Sequence, residues 1–352
     1  MSSTSGSTSP SSAKRTAVLM TGGSGVLGTD LRQHFGKARL LSHVEVVAPS
    51  SGDFNVADLT QMETYLDRWC KENNASTGGG GTSSSSGRAS SASSSTARRA
   101  RASMSDFLAE TPSPSQKGGS PDDEEMIEPA QRAEADRRKR LTTIVHLAAY
   151  VSTVRMNEAA EITKGIDTNV IGTSNVCKLA LSTDYVFDGK KAGGLYTESD
   201  PTRPLNNYGW SKLGGECVVQ MVPRHLIIRC PFGPNVFPYP KAFVDQYTSR
   251  QPVRVASRDV AKLLELVLSE KLPNLNGIVH VAGDRKTVYE YACEDAGAKD
   301  VVGKLKLEDV SDMVSLAQDC SLDCSRFKDI LWRQRAAWLD PQQSPRTDHG
   351  VA

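Results

Sequence analysis

Two periods alternate among the apolar positions of this chain. Arg15-Thr-Ala-Val-Leu-Met20, Val44-Glu-Val-Val-Ala48 and Thr142 to Leu147 are short runs rich in branched residues, the pattern of strands buried in a sheet. Between them Val26, Leu27, Leu31 and Phe35 recur at the spacing of one helix face. Leu59 to Lys71 and Gly165 to Leu179 predict two more helices. Strand followed by helix, repeated, predicts an α/β fold built on a doubly wound parallel sheet.

Residues 73–140 break that alternation. They hold a glycine run ending at Gly81, serine runs, clustered arginines and the acidic block Asp122 to Glu125, with almost nothing apolar. Such a stretch cannot offset its ordering entropy. It is expected as a disordered insertion at a surface crossover, where loop length costs little. Its basic runs, Arg98 to Ser103 and Arg137 to Arg140, read as solvated charge in preference to a kinase site or a polyanion patch.

Composition narrows the partner. The 352 residues, 38% of them hydrophobic, suffice for one sizeable core and a smaller lobe. A formal net charge of +1 gives no global field for nucleic acid or an anionic membrane, so a small molecule or another protein is expected. The seven cysteines at 70, 177, 217, 230, 293, 320 and 324 form no CxxC pair, as suits free thiols in a reducing compartment. Cys320 and Cys324 stand at a spacing that would face them together on a helix, but no further ligands accompany them, so no metal site is expected. No apolar run approaches the roughly 20 residues of a membrane span, and the polar start lacks the core of a secretory signal. A cytoplasmic location is expected.

Candidate chemistry sits at two places. After the first strand comes Thr21-Gly22-Gly23-Ser24-Gly25-Val26-Leu27-Gly28, glycines where a backbone must approach a pyrophosphate, followed by a helix whose N-terminus favours the anion. Gly22, Gly25, Val26, Leu27 and Gly28 are therefore candidate dinucleotide contacts. The second strand ends in Ala48-Pro49-Ser50-Ser51 with no carboxylate to hold a ribose 2′-hydroxyl. Ser50, helped by Arg32 or Lys37, points to the 2′-phosphate of NADPH, with NADH as the alternative. Asp58 reads as the cap of the next helix. Farther on, Thr183 lies at a strand end, and Tyr208 and Lys212 lie one helical turn apart. An ammonium beside a phenol is expected to lower its pKa toward working pH and make Tyr208 a general acid toward a ketone.

Several motifs together resemble the dTDP-4-dehydrorhamnose reductase family of extended short-chain dehydrogenase/reductases. They are the glycine turn, His146-Leu-Ala-Ala149-Tyr150, Asn169, Ser182-Thr-Asp-Tyr-Val-Phe-Asp-Gly189, Tyr196-x-Glu198-x2-Pro201-x2-Pro204 and Tyr208-Gly-Trp-Ser-Lys212-Leu-Gly-Gly-Glu216. The resemblance implies a Rossmann-type domain from 15–72 and 141–230, interrupted by the insertion and flanked by tails at 1–14 and 341–352. A small C-terminal substrate lobe would come from 188–207 and 231–340, with 258–283 partly returning to the main domain.

By the same resemblance Tyr208 protonates the ketone, Thr183 polarises it, Lys212 holds the nicotinamide ribose and tunes Tyr208, and Asn169 orders a water in the proton relay. Asn55 and Val56 stand at the adenine edge, and Ala148, Ala149 and Tyr150 leave room for the nicotinamide. Thr183, Asp184, Tyr185 and Arg229, with Lys241 and Arg258, are implied to meet a nucleotide-linked 4-keto-6-deoxy sugar. The family also contains the regulatory beta subunit of methionine adenosyltransferase, so a homodimer or a methionine adenosyltransferase catalytic subunit is an implied partner. Against the family pattern the chain is short at three places: before Ser182, between Arg229 and Pro240, and from Pro252 to Ala261.

Overall fold

β1 (Thr16–Thr21) lies inside the sheet because both of its faces are apolar: Ala17, Val18, Leu19 and Met20 are all buried. It pairs in parallel with β2 (Val44–Val47) on one side and β3 (Arg140–His146) on the other. Beyond β3 the parallel sheet continues through β4 (Leu179–Ser182), β5 (Leu226–Arg229) and β6 (Gly277–His280). The order is therefore β2-β1-β3-β4-β5-β6, and the chain changes direction across the sheet at β1. In such sheets ligands sit in the crevice at the carboxyl ends of the strands on either side of that switch. This computed structural model describes residues 16–38, 44–74, 140–176, 179–269, 271–272, 274–295 and 302–339. Both tails, Cys177 and the insertion's basic run at Arg98 to Ser103 lie outside the described residues.

The helices are α1 (Val26–Lys37), α2 (Leu59–Asn74), α3 (Ala159–Ile166), α4 (Asn207–Gln220), α5 (Val253–Leu268) and α6 (Ser325–Leu339). One face of the sheet, with Val18, Met20, Val145, Leu226, Ile228 and Val279, packs against Leu27, Leu31 and Phe35 of α1, against α5 and against Phe327 of α6. The alternate residues Leu19 and Ile144 pack against Met62 and Leu66 of α2, and Ala180 and Ile227 against Val219 of α4. The two-residue alternation of strands thus divides the core into two layers. Each such side chain contributes roughly 1.5–3 kcal/mol on burial.

Three expectations change in the structure. The helix expected from Gly165 to Leu179 starts at Ala159, passes through a π-helical turn at Asp167–Ile171 and ends with Gly172–Val176. Leu179 belongs to β4 instead. Cys320 and Cys324 do not face one another on a helix: their segment is extended, bridging Tyr247 through Asp319 and Tyr196 through Leu322. The Asp319 carboxylate accepts from the Ser321 amide and hydroxyl, and local bonds of that kind compete with helix formation.

The shortened places are absorbed in the fold. β4 pairs with β5 along its whole length but meets β3 only at His146 and Ala180. The two later short segments pair with each other, Phe232–Gly233 against Gln251–Pro252, and Pro252 then leads straight into α5. A small lobe forms around Phe237, Ala242, Val288, Tyr291, Ala292 and Val302, edged by Lys241–Phe243 pairing with Gly303–Leu305 and Tyr247–Thr248 pairing with Lys286–Thr287. No helix among the described residues is long and apolar enough to cross a membrane.

Candidate active site

The turn after β1 closes so tightly that only glycine fits. Gly22 has φ +70°, and a Cβ there would stand 2.5 Å from the Ala148 amide nitrogen, so the ends of β1 and β3 touch through bare backbone. A Cβ on Gly28 would strike the Gly22 carbonyl, which fixes α1 against the turn. Gly25, the N-cap of α1, brings no side chain to the first-turn amides, and no acidic residue lies in that turn. Unpartnered amides at a helix N-terminus attract an anion, and the cradle fits a dinucleotide pyrophosphate.

The other cofactor candidates divide. Val26 is exposed beside the cradle and Ala148, Ala149 and Tyr150 are half-buried along it. Leu27 does not line it: its side chain is in the core under α1. Val56 is likewise a core residue, and its carbonyl accepts from Asn175. Asn55 uses its side-chain oxygen on the Ala57 amide, closing an Asx turn, while Asp58 caps α2 through the Gln61 amide at 3.0 Å. The expectation that no carboxylate stands at the end of β2 is corrected. The turn at residues 50–53 brings Asp53 back, and the Ser50 hydroxyl donates to it at 2.7 Å. Arg32 lays its stem along the glycine turn after β1, its Cδ 3.6 Å from where a Gly23 Cβ would stand.

Thr183, Tyr208 and Lys212 come together at the carboxyl end of β4. Thr183 caps a short 3₁₀ turn, accepting from the Tyr185 amide and donating to Asp184 at 3.0 Å. Asn206 caps α4 by accepting from the Gly209 amide and is itself tied to the Ser315 carbonyl, which sets Tyr208 in the first turn. The Tyr208 hydroxyl faces Thr183, and the Tyr185 and Tyr208 rings meet edge to face at 5.9 Å. Tyr208, Lys212, Thr183 and Asp184 are all buried.

The electrostatics differ from the expectation for a Tyr and Lys one turn apart. Burial, and then the Asp184 charge, push the Tyr208 phenol well above its ordinary value, with Thr183 pulling the other way. Burial lowers Lys212 to about 8, opposed by Glu216, and the Lys212 charge falls on His146. Tyr208 therefore carries its proton at neutral pH, as a proton donor must, while the raised value makes it a weaker acid than an ordinary phenol.

Asn169 and Arg229 have other tasks than those implied by the resemblance. The Asn169 side chain accepts from the Tyr150 amide and donates to the Tyr150 carbonyl and to Ser211. Ser211 in turn donates to the Tyr208 carbonyl. Fully buried and fully partnered, Asn169 braces the end of β3 against α4 and leaves no donor for a relay water. It sits in the π-helical turn, a distortion often found at functional positions. Arg229 does not face a substrate either, because its guanidinium is buried on Glu216 in a two-pronged pair at 2.9 and 2.7 Å. Lys241 is exposed on the small lobe, and Arg258 pairs with its neighbour Asp259. Arg250, Thr248 and Gln251 line the same region and carry no recognisable motif. Thr248 donates to the far oxygen of Asp184 at 3.4 Å.

Two buried histidines predict acid sensitivity. His146 lies between Thr21 and Thr173 at 2.7 and 3.0 Å, and His280 between Arg229 and the Asp323 carbonyl. Burial, then Lys212, hold His146 down at about 3, and burial, then Arg229, hold His280 at about 4. An unfolded histidine titrates near 6.5, so below that pH the unfolded chain binds more protons and stability falls. The slope for each group reaches about 1.4 kcal/mol per pH unit until its folded value is passed. The urea midpoint is expected to fall steadily from pH 7 to 4.5, and a flat profile would contradict the neutral assignment.

A sequence pattern described as the RmlD substrate binding domain matches residues 115–341. The methionine adenosyltransferase 2 subunit beta of Rattus norvegicus is 29% identical over 180 residues, 44% of this chain and 52% of that protein. The dTDP-4-dehydrorhamnose reductase of Salmonella typhimurium is 29% identical over 187 residues, 46% of this chain and 60% of that protein. The chain spans about half the length of the curated relatives it matches. Its fold is similar to the crystal structure of dTDP-4-dehydrorhamnose reductase from Bacillus anthracis in complex with NADP, with a TM-score of 0.57 at 16% identity, over 89% of this chain and 92% of that one.

Proposed function

Because this chain belongs to the RmlD substrate binding domain family, we propose that it is an NADPH-dependent reductase of a nucleotide-linked 4-keto-6-deoxy sugar, as in the making of dTDP- or UDP-L-rhamnose. The observation that carries this reading is the buried Tyr208–Thr183 pair set beside a glycine cradle with Lys212 one turn away. The cradle residues Gly22, Gly25 and Gly28 would hold the pyrophosphate, and Lys212 the ribose next to the nicotinamide. A bound nicotinamide supplies hydride. Tyr208 gives its proton to the ketone oxygen, Thr183 hydrogen-bonds that oxygen, and the burial of both excludes water from the transfer. The Ser50 hydroxyl, which a 2′-phosphate would take from Asp53, and the Arg32 stem beside Gly23 in the turn after β1 support NADPH over NADH.

The test follows NADPH absorbance with purified full-length chain and dTDP- or UDP-4-keto-6-deoxyglucose. Substrate-dependent oxidation is the expected result. A second reading, a non-catalytic regulatory subunit, is supported by the rat subunit's equal identity. It expects NADPH binding without oxidation, together with a stable complex with a methionine adenosyltransferase catalytic subunit.

A further inference from the structure

The small lobe reaches back to the main domain through a loop. Residues 307–317 leave the lobe where the Leu307 amide donates to the Asp245 carboxylate, and return where the Gln246 side chain donates to the Ala317 carbonyl at 3.2 Å. Both ends are pinned to consecutive residues, the form of an Ω-loop, a unit frequently functional. The residues that follow Gln246 belong to the site: Thr248 donates to Asp184, and the Arg250 guanidinium faces the Tyr185 hydroxyl.

The tip of the loop rests on two asparagines of the main domain. Asn157 donates to the Met313 carbonyl at 3.0 Å, and Asn206 donates to the Ser315 carbonyl at 3.1 Å. Both stand on one ledge, because Asn207 joins the start of α4 to the Met156 carbonyl at 2.7 Å. Around these bonds the tip is open to water: residues 311–313 and Ser315 are exposed, while Val314 is buried. A net hydrogen bond shifts an equilibrium by roughly 2- to 12-fold, so a tip seated in this way opens far more often than the core unfolds. Asn206 has a second task. Its side-chain oxygen accepts from the Gly209 amide at 2.9 Å, capping the turn that holds Tyr208. One amide group thus has its nitrogen on the loop and its oxygen on the turn of the proton donor.

We propose that residues 307–317 form a clasp between the small lobe and α4, latched by Asn157 and Asn206, and that Asn206 is a positioning residue that passes the closed state of the clasp to Tyr208. A ligand seated against Thr248 and Asp184 steadies the base of the loop, favours the closed tip and thereby fixes the turn of the proton donor. The assignment rests on the reductase reading of Tyr208.

The experiment compares Asn157→Ala and Asn206→Asp with the original full chain, all saturated with NADPH, by backbone hydrogen exchange and by single-turnover reduction of dTDP- and UDP-4-keto-6-deoxyglucose. Asn157→Ala removes one latch and leaves the α4 cap in place. Asn206→Asp keeps the cap oxygen and loses the donor to Ser315. Both are expected to speed exchange at residues 311–316 by roughly 2- to 12-fold and to slow single turnover several-fold, with NADPH affinity within twofold. In Asn157→Ala the Gly209 amide is expected to exchange faster too. That reading separates transmission from a local structural role, since the Asn157 side chain bonds the loop and the Gly209 amide bonds Asn206. Unchanged exchange at the tip in both variants overturns the latch. A loosened tip with Gly209 exchange and turnover both within twofold of the original overturns the coupling. If Asn206→Asp fails to fold, Asn157→Ala carries both readings. An original chain that oxidises NADPH with neither sugar overturns the reductase reading, and the exchange measurements then decide the clasp by themselves.

Discussion

Tyr208→Phe is expected to lower turnover by roughly 10²–10⁴-fold, the usual contribution of a positioned proton donor, while leaving NADPH affinity within a few fold. The substitution removes one oxygen and keeps the ring, so the edge-to-face contact with Tyr185 survives and α4 keeps its Asn206 cap. Thr183 already donates to Asp184 and so does not replace Tyr208 as the proton donor. Lys212→Ala should differ in kind, weakening both turnover and cofactor binding, because its ammonium is assigned to the ribose. Single-turnover reduction and NADPH titration of both variants separate the two effects. Unchanged turnover in Tyr208→Phe would refute the acid assignment.

Glu216→Gln is expected to destabilise the fold by about 3–5 kcal/mol, the cost of leaving a buried charge without its partner. Arg229 and Glu216 have side chains 2% and 1% exposed, and the guanidinium also lies 5.0 Å over the Phe187 ring and 3.3 Å from His280. Water cannot replace the lost carboxylate there. Replacing both partners with Met should recover most of the loss, since well-packed apolar pairs often match buried ion pairs. Urea midpoints of the single and double variants test this, and a single-variant loss under about 1 kcal/mol would show that the pair is open to solvent.

The parts legible in the sequence were those with local signals. The glycine turn, the apolar β1, the α1 stripe and the one-turn spacing of Tyr208 and Lys212 each carry their geometry in consecutive residues. What escaped depended on partners far along the chain. Arg229 looked free because Glu216 lies on another element, and Ser50 looked available because the turn that returns Asp53 to it has no strong signature. The spacing puts Lys212 on the helix, but it does not encode that the Lys212 charge falls on His146. Arg250 had no motif at all and stands out only once the turn at residues 247–250 is folded against Tyr185.

The scarcity of pairing between β3 and β4 has a mechanical meaning. With the β3–β4 ladder reduced to His146 and Ala180, the six-stranded sheet is most thinly joined between the three strands that carry the glycine cradle and the three that end in Thr183. Their separation is then held less by the ladder than by a side-chain strut, Asn169, bolted to Tyr150 on one half and through Ser211 to Tyr208 on the helix above the other. The distance from the end of β3 to the first turn of α4 is thus gauged by the length of one amide side chain.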